Sequence, residues 1–375
     1  MNVLVVFGTR PEAIKMAPVV HVLKGRGSTV TTRVCVTAQH RDMLDEVIRL
    51  FELPVDHDLD LMTPGQTLTQ VAIRVLEGVD RILAAEHFDW VLVQGDTTTS
   101  LAAAQAAFHC GVRVGHVEAG LRTWNVREPF PEEWNRRAID VLADLAFAPT
   151  ERSRENLLAE RFPAARVLVT GNTAIDALHL ALARPAPSPP PGLERLDPAR
   201  PLLLVTAHRR ESFGAPLESV CRALAELASR DGGRGVEIVY PVHPNPNVRR
   251  AVAQVLEGVR HVHLLPPLDY HRFVHLMQRA YLILTDSGGI QEEAPGLGKP
   301  VLVLRDRTER PEAIEAGTAR LVGTDRGAIV AAVDLLLGES PEYRAMAVAR
   351  NPFGDGQAAR RIVAALEAFS ARETP

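Results

Sequence analysis

Acidic residues follow two short apolar runs in the first half of the sequence. Asp96 comes after the run WVLVQ and its glycine, and Glu118 comes directly after RVGHV. Glu132 and Glu133 follow in the segment PFPEEW. Carboxylates that meet in one crevice can donate and accept protons, so this set is typical of acid–base catalysis. Structural interpretations stay open, because Asp96 can cap a helix and Glu132 and Glu133 can occupy a first helical turn.

Arg10 and Lys15 lie near the predicted start of a helix. Thr9 and Glu12 have the spacing of a capping box, which indicates that the helix begins there and directs its amides at a ligand. The alternative is a capped helix with two solvated cations. The segment lacks the glycine fingerprint of dinucleotide sites, which counts against a nicotinamide cofactor.

Basic residues also follow apolar runs in the second half. His208 and Arg209 come after LLLVTA, a pattern that fits contact with a phosphate or a leaving group. A structural surface cluster is the alternative. His243 follows EIVYPV and is less specific.

The segment DSGGIQEE is the sharpest signal in the second half. Ser287, Gly288 and Gly289 form a small-residue turn before a predicted helix, and such a turn lets N–H groups approach phosphate oxygens. Glu293 can accept both hydroxyls of a ribose, and Arg310 is a nearby cation for a diphosphate. A capped tight turn is the alternative, but the glycine pair with acids downstream favours a nucleotide.

These residues stand at the ends of predicted strands. Short β-branched runs alternate with longer helical patterns, which is typical of parallel sheets covered by helices. Ligands of such sheets bind beyond the carboxyl ends of the strands. The predicted strands of the first half are 2–7, 33–37, 90–94, 113–117, 145–148 and 166–169, and those of the second half are 202–206, 237–241, 261–265, 282–285 and 301–304.

The composition predicts a cytoplasmic enzyme with two domains. A chain of 375 residues exceeds the usual size of a single core, and the proline-rich segment 184–201 separates the two strand arrays. A net charge of −4 argues against a nucleic-acid partner. Three scattered cysteines indicate a reducing compartment. The apolar N-terminal run is interpreted as a strand, and no run approaches the ~20 residues that cross a membrane.

The ordered motifs resemble those of the bacterial non-hydrolysing UDP-N-acetylglucosamine 2-epimerases. The resemblance runs from the first strand to FGDGQAA. The matching stretches are FGTRPEAIKMAP, VTAQHRDMLD, GDTTTSLAAA, VGHVEAGLRT, PFPEEWNRR, HRRESFG, YPVHPNPNVR, LTDSGGIQEEAPGLGKPVLVLRD and TERPEAIEAGT.

The resemblance implies an α/β glycosyltransferase-B fold, with two facing Rossmann-like domains, a ligand cleft between them, and a homodimer. It assigns residues 1–170 and 356–375 to an N-terminal domain with the catalytic carboxylates. Residues 171–355 become the UDP-binding domain, so the final helix returns to the first domain and the proline-rich segment becomes an internal loop of the second.

The reaction implied by the resemblance is the reversible conversion of UDP-N-acetylglucosamine to UDP-N-acetylmannosamine. It proceeds by elimination of UDP to 2-acetamidoglucal and re-addition, with no NAD, metal or other cofactor. By position in the motifs, Asp96, Glu118 and Glu132 are the acid–base residues, and His208 lies near the leaving diphosphate. The implied substrate and UDP contacts are Arg10, Lys15, Phe273, Ser287, Gly288, Gly289, Glu293 and Arg310.

Many bacterial members bind a second UDP-N-acetylglucosamine as an activator. The residues that match that site are Gln39, His40, Gln66, Glu133, Arg209 and His243. Asp42 and Gly65 stand where some members carry glutamine and arginine.

Three other functions compete with this interpretation. A hydrolysing epimerase shares the fold, but the stretches PFPEEWNRR and TAQHR favour the non-hydrolysing type. A glycosyltransferase would need an acceptor site, for which no signature is visible. A silent nucleotide-sugar sensor would not need the retained Asp96, Glu118, Glu132 and His208.

Overall fold

The computed structural model describes residues 1–37, 41–63, 65–230 and 235–373. The chain forms two compact units, Met1–Ala181 with Phe353–Pro375, and Leu182–Pro352. Each unit has one parallel sheet whose central strands are buried apolar runs with helices between them. This confirms the predicted α/β class with two parallel-sheet domains. Within the described ranges, no helix combines the length and the apolar character that crossing a membrane requires.

The sheet of the first unit has the strand order β3-β2-β1-β4-β5-β6-β7 in the described residues, and all its pairings are parallel. The strands are β1 (Asn2–Phe7), β2 (Thr31–Val36), β3 (His57–Asp58), β4 (Trp90–Gln94), β5 (Arg113–Val117), β6 (Leu145–Ala148) and β7 (Val167–Val169). The helices are α1 (Arg10–Lys24), α2 (Arg41–Phe51), α3 (Leu68–Ala85), α4 (Thr98–His109), α5 (Glu132–Leu142), α6 (Glu151–Ala159) and α7 (Thr173–Leu182).

The strand order of this sheet reverses between β1 and β4, which are hydrogen-bonded neighbours. At such a reversal the loops that follow the two strands separate and leave a crevice at their carboxyl ends. The loop after β1 begins at Gly8, and the loop after β4 begins at Gly95. The first unit therefore presents Asp96 at its topological switch point, and Glu118 follows the neighbouring strand β5.

The second unit repeats this plan with the strand order β10-β9-β8-β11-β12-β13 in the described residues. Its strands are β8 (Leu202–Thr206), β9 (Glu237–Pro241), β10 (Val262–Leu265), β11 (Leu282–Thr285), β12 (Val301–Val303) and β13 (Ala319–Leu321). Its helices are α8 (Ala215–Ala228), α9 (Pro246–Leu256), α10 (Tyr270–Arg279), α11 (Gly288–Glu293), α12 (Pro311–Glu315), α13 (Arg326–Leu336) and α14 (Pro341–Val348). The order reverses between β8 and β11, where the chain continues into Ala207 and Asp286.

The last helix, α15 (Ala358–Glu373), packs on the first unit against α1. The indole Nε1 of Trp90 donates to Ser370 Oγ at 3.0 Å, and its ring meets Phe369 edge-on at 5.4 Å. The two oxygens of Asp176 accept the first amides of α15, from Ala358 at 3.1 Å and Ala359 at 2.9 Å. These contacts tie α15 to both β4 and α7.

The border between the units lies after Ala181, later than the predicted crossover after residue 170. Helix α7 belongs to the first unit because Asp176 caps α15, and because the N–H of Asn172 donates to the carbonyl of Phe353 at 2.6 Å. The chain re-enters the first unit at Phe353, three residues before the predicted position 356. The proline-rich residues 184–201 lie at the start of the second unit.

Candidate active site

Glu118 lies at the exit of β5 and is held by three donors. Lys15 Nζ is 2.6 Å from both carboxylate oxygens, Asn172 Nδ2 donates at 3.2 Å, and Gln94 Nε2 donates as well. The residue is 7% exposed, and its φ of 67° is uncommon for a side chain larger than glycine. Such backbone strain concentrates at functional sites and persists where the surroundings hold it in place.

Asp96 follows β4 and forms an ion pair with Arg136 of α5. Its backbone carbonyl accepts a hydrogen bond from Asn135 Nδ2 at 2.8 Å. Helix α5 therefore contacts both the side chain and the backbone of Asp96. Thr97, not Asp96, caps α4, since its side chain accepts the N–H of Ser100 at 3.1 Å. The helix-capping interpretation of Asp96 is therefore wrong, and its carboxylate faces a cation.

Glu132 and Glu133 begin α5 but have different surroundings. Glu133 is fully buried, and its oxygens accept the backbone N–H groups of Thr123 at 3.0 Å and Trp124 at 3.1 Å. Glu132 is half-buried, and its Oε2 is buried without a hydrogen-bond partner among the described residues. Glu132 and Arg136 are four residues apart and share one face of α5. Glu132 thus projects on the side of the helix that meets Asp96.

The exits of β4 and β5 bring Asp96 and Glu118 close. The N–H of Gly95 donates to the carbonyl of Val117 at 2.9 Å, and a Cβ added to Gly95 would lie 3.8 Å from Glu118 Oε2. The structure therefore groups the predicted acid–base residues Asp96, Glu118 and Glu132 within the first unit.

A buried histidine contacts the turn after β4 that carries Gly95 and Asp96. His116 is fully buried, with Nδ1 2.6 Å from Asp140 and Nε2 2.7 Å from the carbonyl of Gly95. Arg122 donates to the other oxygen of Asp140 at 2.6 Å. Burial raises the pKa of Asp140, but His116 and Arg122 outweigh it and hold that pKa below its usual value.

Glu12 joins the loops after β1 and β4. One oxygen accepts the N–H groups of Gly8 at 3.1 Å and Thr9 at 2.7 Å, which confirms the predicted capping box. The other accepts the hydroxyls of Thr97 at 2.6 Å and Ser100 at 2.9 Å. Burial raises the pKa of Glu12, and these donors oppose the rise.

The cations of α1 differ in their contacts. Lys15 pairs with Glu118 and so belongs to the carboxylate group. Arg10, the first residue of α1, is half-buried and forms no hydrogen bond or ion pair with the residues that the structure describes. Lys15 is thus engaged with Glu118, whereas the guanidinium of Arg10 is available for an anionic ligand.

Asp286 organises the loop after β8 in the second unit. Its Oδ2 accepts the backbone N–H groups of His208 at 2.6 Å and Arg209 at 2.7 Å. The His208 ring stacks on His243 at 5.1 Å with an interplanar angle of 10°. Burial lowers the pKa of His208, and His243 and Arg209 lower it further, while Asp286 opposes them.

The predicted nucleotide residues of the second unit lie on α10, on α11 and on the loop before α12. Arg310 forms an ion pair with the buried Glu292, and a Cβ added to Gly288 would lie 3.8 Å from its Cζ. A Cβ added to Gly289 would meet nothing within 4 Å. Ser287 precedes α11, and its N–H donates to Thr285 Oγ1 at 2.9 Å. Arg310 thus lies beside the turn that the sequence assigned to a phosphate.

Glu293 and Phe273 lie near Tyr270, a half-buried residue whose hydroxyl is buried. Both side chains are half-buried. Burial, followed by the charge of Glu293, raises the pKa of Tyr270 well above its usual value. Phe273 lies one turn after Tyr270 on α10. Tyr270 therefore connects the helix that carries Phe273 with the charge of Glu293.

The predicted activator residues are divided between the units. Gln39 and His40 lie outside the described residues. Gln66 binds within its own loop, with Nε2 donating to the Leu61 carbonyl at 2.8 Å and Oε1 accepting the Thr63 N–H at 3.0 Å. In the first unit the set also includes the buried Glu133. In the second unit it includes Arg209 and His243, which adjoin His208.

Comparison with known proteins shows the family of the chain. The family model described as UDP-N-acetylglucosamine 2-epimerase matches residues 23–367. The UDP-N-acetylglucosamine 2-epimerase of Yersinia pestis is 54% identical over 373 residues, which cover 98% of both chains. The chain belongs to the UDP-N-acetylglucosamine 2-epimerase family.

Solved structures of UDP-N-acetylglucosamine 2-epimerases have the same fold. The Neisseria meningitidis structure, bound to UDP-GlcNAc, has a TM-score of 0.87 and 46% identity, covering 98% of this chain and 100% of that one. The Methanocaldococcus jannaschii structure, in complex with UDP-GlcNAc and UDP, has a TM-score of 0.77 and 30% identity, with coverage of 98% and 100%. The family predicted from the motifs is confirmed.

Four residues that shape the site were not predicted as site residues: Asp286, His116, Asp140 and Arg136. Each is buried and bonds to a residue distant in the sequence, so no local spacing marks it. A usable signal was present only for Asp286, because an aspartate directly after a strand that neighbours β8 must face the loop of His208.

Proposed function

We propose that this chain interconverts UDP-N-acetylglucosamine and UDP-N-acetylmannosamine by inverting carbon 2, without net hydrolysis. The observation that carries the proposal is the grouping of Asp96, Glu118 and Glu132 in a chain of this family. The three carboxylates differ in their surroundings. Asp96 pairs with a guanidinium, and Glu118 contacts an ammonium and two amides. Glu132 has an oxygen without a hydrogen-bond partner among the described residues. Different surroundings let carboxylates take different acid–base roles in one reaction.

The chemistry requires such a set. The proton on carbon 2 is poorly acidic, so departure of UDP must build positive charge at the anomeric carbon before that proton leaves. Carboxylates stabilise this charge and accept the proton, which gives 2-acetamidoglucal. Re-addition of UDP with proton delivery to the opposite face inverts carbon 2. The elimination and the addition balance without an oxidant or a reductant, so the proposed reaction needs no nicotinamide cofactor.

The proposed roles follow the geometry of each group. Asp96, the ion-pair partner of Arg136, and Glu132, one turn before Arg136 on α5, serve as the acid–base pair. Glu118, with Lys15 against both of its oxygens, has an anionic charge fixed in position for the cationic stage. His208 and Arg10 interact with the departing diphosphate.

The second unit is proposed to bind UDP. Arg310 and the Ser287–Gly289 turn support a diphosphate contact, and Glu293 with Phe273 supports contact with ribose and base. The UDP-GlcNAc bound in the Neisseria meningitidis structure supports this ligand class.

A second UDP-N-acetylglucosamine is proposed as an activator. Gln66, Arg209 and His243 are its proposed contacts, and Glu133 supports the site. Glu133 is fully buried, so its proposed part is to hold the 123–124 backbone and not to touch the ligand. A sigmoidal dependence of rate on substrate concentration is expected, and a hyperbolic one would contradict activation. A homodimer and a cytoplasmic location complete the proposal; three free cysteines support the latter.

Incubation with UDP-N-acetylglucosamine in heavy water tests the reaction. We expect deuterium at carbon 2 of an intact nucleotide sugar that contains both epimers. Net release of UDP with free N-acetylmannosamine would show a hydrolysing enzyme. Binding without exchange or turnover would show a sensor.

A further inference from the structure

We propose that Asp286 is a positioning residue for His208, which selects the ring tautomer that carries its proton on Nδ1 and presents Nε2 to the substrate. The role of His208 in turnover rests on the proposed epimerase function. The tautomer itself does not, because it is a property of the second unit alone.

Asp286 is fixed by the sheet beneath it. Strands β8 and β11 are parallel neighbours in the register Thr206↔Thr285. The hydroxyls of these two threonines lie 2.6 Å apart, and the N–H of Asp286 donates to the Thr206 carbonyl at 3.1 Å. The carboxylate is 1% exposed. It therefore holds a constant position relative to the loop that begins at Ala207.

The two oxygens of Asp286 differ in their contacts. Oδ2 accepts two backbone N–H groups, from His208 and Arg209. Oδ1 is buried and has no hydrogen-bond partner among the described residues, while His208 Nδ1 lies 3.4 Å from it. A buried acceptor without a donor is unfavourable, because it has lost its hydrogen bonds to water. A small rotation of the half-exposed ring satisfies Oδ1, provided that Nδ1 carries a proton.

The neighbouring ring restricts the motion of His208. His243 lies parallel to it, so His208 turns mainly within its own plane. Nδ1 of His243 accepts the N–H of Asn245 at 3.2 Å, so the neutral His243 carries its proton on Nε2. Among the described residues, the charged or titratable groups that act on the His208 ring are Asp286, His243 and Arg209.

The tautomer decides what His208 offers to a ligand. With Nδ1–H directed at Asp286, Nε2 is the ring position that gains a proton. A ring protonated at Nε2 donates to the leaving diphosphate, and Asp286 stabilises the resulting imidazolium. The opposite tautomer would leave two acceptors, Nδ1 and Oδ1, facing each other.

Nitrogen NMR of the full chain labelled with ¹⁵N-histidine tests the tautomer directly. At pH 8, wild type is expected to show His208 with Nδ1 protonated and Nε2 unprotonated; the His208→Gln spectrum assigns the signals. In Asp286→Asn, the amide oxygen keeps the two backbone N–H groups and its NH₂ faces Nδ1. The ring is then expected to switch to the Nε2–H tautomer. An Nε2–H tautomer in wild type would overturn the proposal even if the variant failed to fold.

Kinetics separates positioning from general stability. Asp286→Asn is expected to reduce kcat by roughly 10²-fold. It should change the Kd for UDP less than about threefold, because the backbone of the loop is retained. The alkaline limb of the pH–rate profile should move to lower pH, because His208 acts as the imidazolium and loss of the Asp286 charge lowers the pKa of that ring. An unchanged kcat and an unchanged alkaline limb would contradict the proposal.

Asp325→Asn is the matched control. Asp325 lies in the same unit and accepts the N–H of Ala328 at 2.8 Å as the cap of α13. It is expected to leave kcat and the His208 signals unchanged. If the wild-type tautomer is the expected one while no epimerisation occurs, the positioning by Asp286 stands and the proposed function fails. If epimerisation occurs with the opposite tautomer, the reverse holds.

Discussion

Lys15 Nζ lies 2.6 Å from both oxygens of Glu118, so one ammonium of α1 meets the carboxylate at the exit of β5 symmetrically. The side chain of Glu118 is 6% exposed and that of Lys15 is 19% exposed. A charge in this position has little access to water, and its partner is what makes its burial tolerable. The pair is therefore expected to contribute to stability as well as to chemistry.

Replacing Lys15 with methionine should lower the free energy of unfolding by about 3 kcal/mol, because it leaves a buried carboxylate without its cation. Urea unfolding followed by tryptophan fluorescence measures the change. Arg26→Met is the control, since Arg26 pairs with Glu367 at 2.9 Å on the surface. Its effect should stay below about 1 kcal/mol. Equal losses in the two variants would contradict the burial argument.

Glu132→Gln and Glu133→Gln should fail in different ways although the residues are adjacent. In Glu133→Gln the new amide can accept only one of the two backbone N–H groups of Thr123 and Trp124, so a loss of about 1–3 kcal/mol in stability is expected. Glu132→Gln breaks no hydrogen bond of Oε2, because that atom has no partner among the described residues. The stability of this variant should change little, while its turnover should fall by roughly 10²-fold or more. Thermal denaturation and the deuterium exchange assay together check this; a stability loss in Glu132→Gln would count against it.

Asp176→Ala should release the start of α15. The carboxylate accepts the N–H groups of Ala358 and Ala359, and loss of a helix cap costs about 1–2 kcal/mol. Hydrogen exchange should become faster at amides 358–362 and stay unchanged in the second unit. Asp325→Ala removes the cap of α13, so exchange should become faster at the start of α13 and stay unchanged at amides 358–362. Uniform acceleration in both variants would mean that the effects are not local.

The stability of the protein should depend on pH through His208. Its pKa lies below the ordinary 6.5 because burial disfavours the charged ring, and His243 and Arg209 add to this while Asp286 opposes it. As the pH falls below 6.5, the unfolded chain takes up a proton at this residue before the folded protein does. The contribution of His208 to stability is thus fully present above pH 6.5 and is lost as the pH falls through the folded-state pKa.

Urea midpoints of wild type and His208→Gln at pH 8, 6.5 and 5.5 check this expectation. Wild type should lose more stability than the variant over that interval. Parallel curves for the two proteins would show that His208 titrates alike in the folded and the unfolded chain.

The central strands could be predicted closely, because an apolar β-branched run between helical patterns has few other structures available. Strands β4, β5 and β8 have the predicted bounds. The two strands that were not predicted, β3 and β13, are edge strands of two and three residues with exposed or half-exposed positions. Runs of that length carry no periodicity, and their pairing depends on the neighbouring strand being in place.

The site was harder to predict where two residues look alike in sequence. Glu132 and Glu133 differ only by a rotation of about 100° around the axis of α5, and that angle decides which one is buried against residues 123–124. Asp286 acquires its role because β8 and β11 pair across a long sequence separation. Strand-end position therefore identified which loops meet, but not which side chain of each loop faces inward.

The way the first unit closes has a consequence for its synthesis. Its sheet is complete in sequence by β7, but the partners of Trp90 and Asp176 lie on α15, beyond the whole second unit. At roughly 5–20 residues per second, a ribosome needs about 9–35 s to pass from the end of α7 to the start of α15. During that interval the second unit, which is continuous in sequence, can fold to completion, while the first must wait with its α15-binding face uncovered. Maturation is thus expected to proceed from the middle of the chain, and the N-terminal unit, although made first, is finished last.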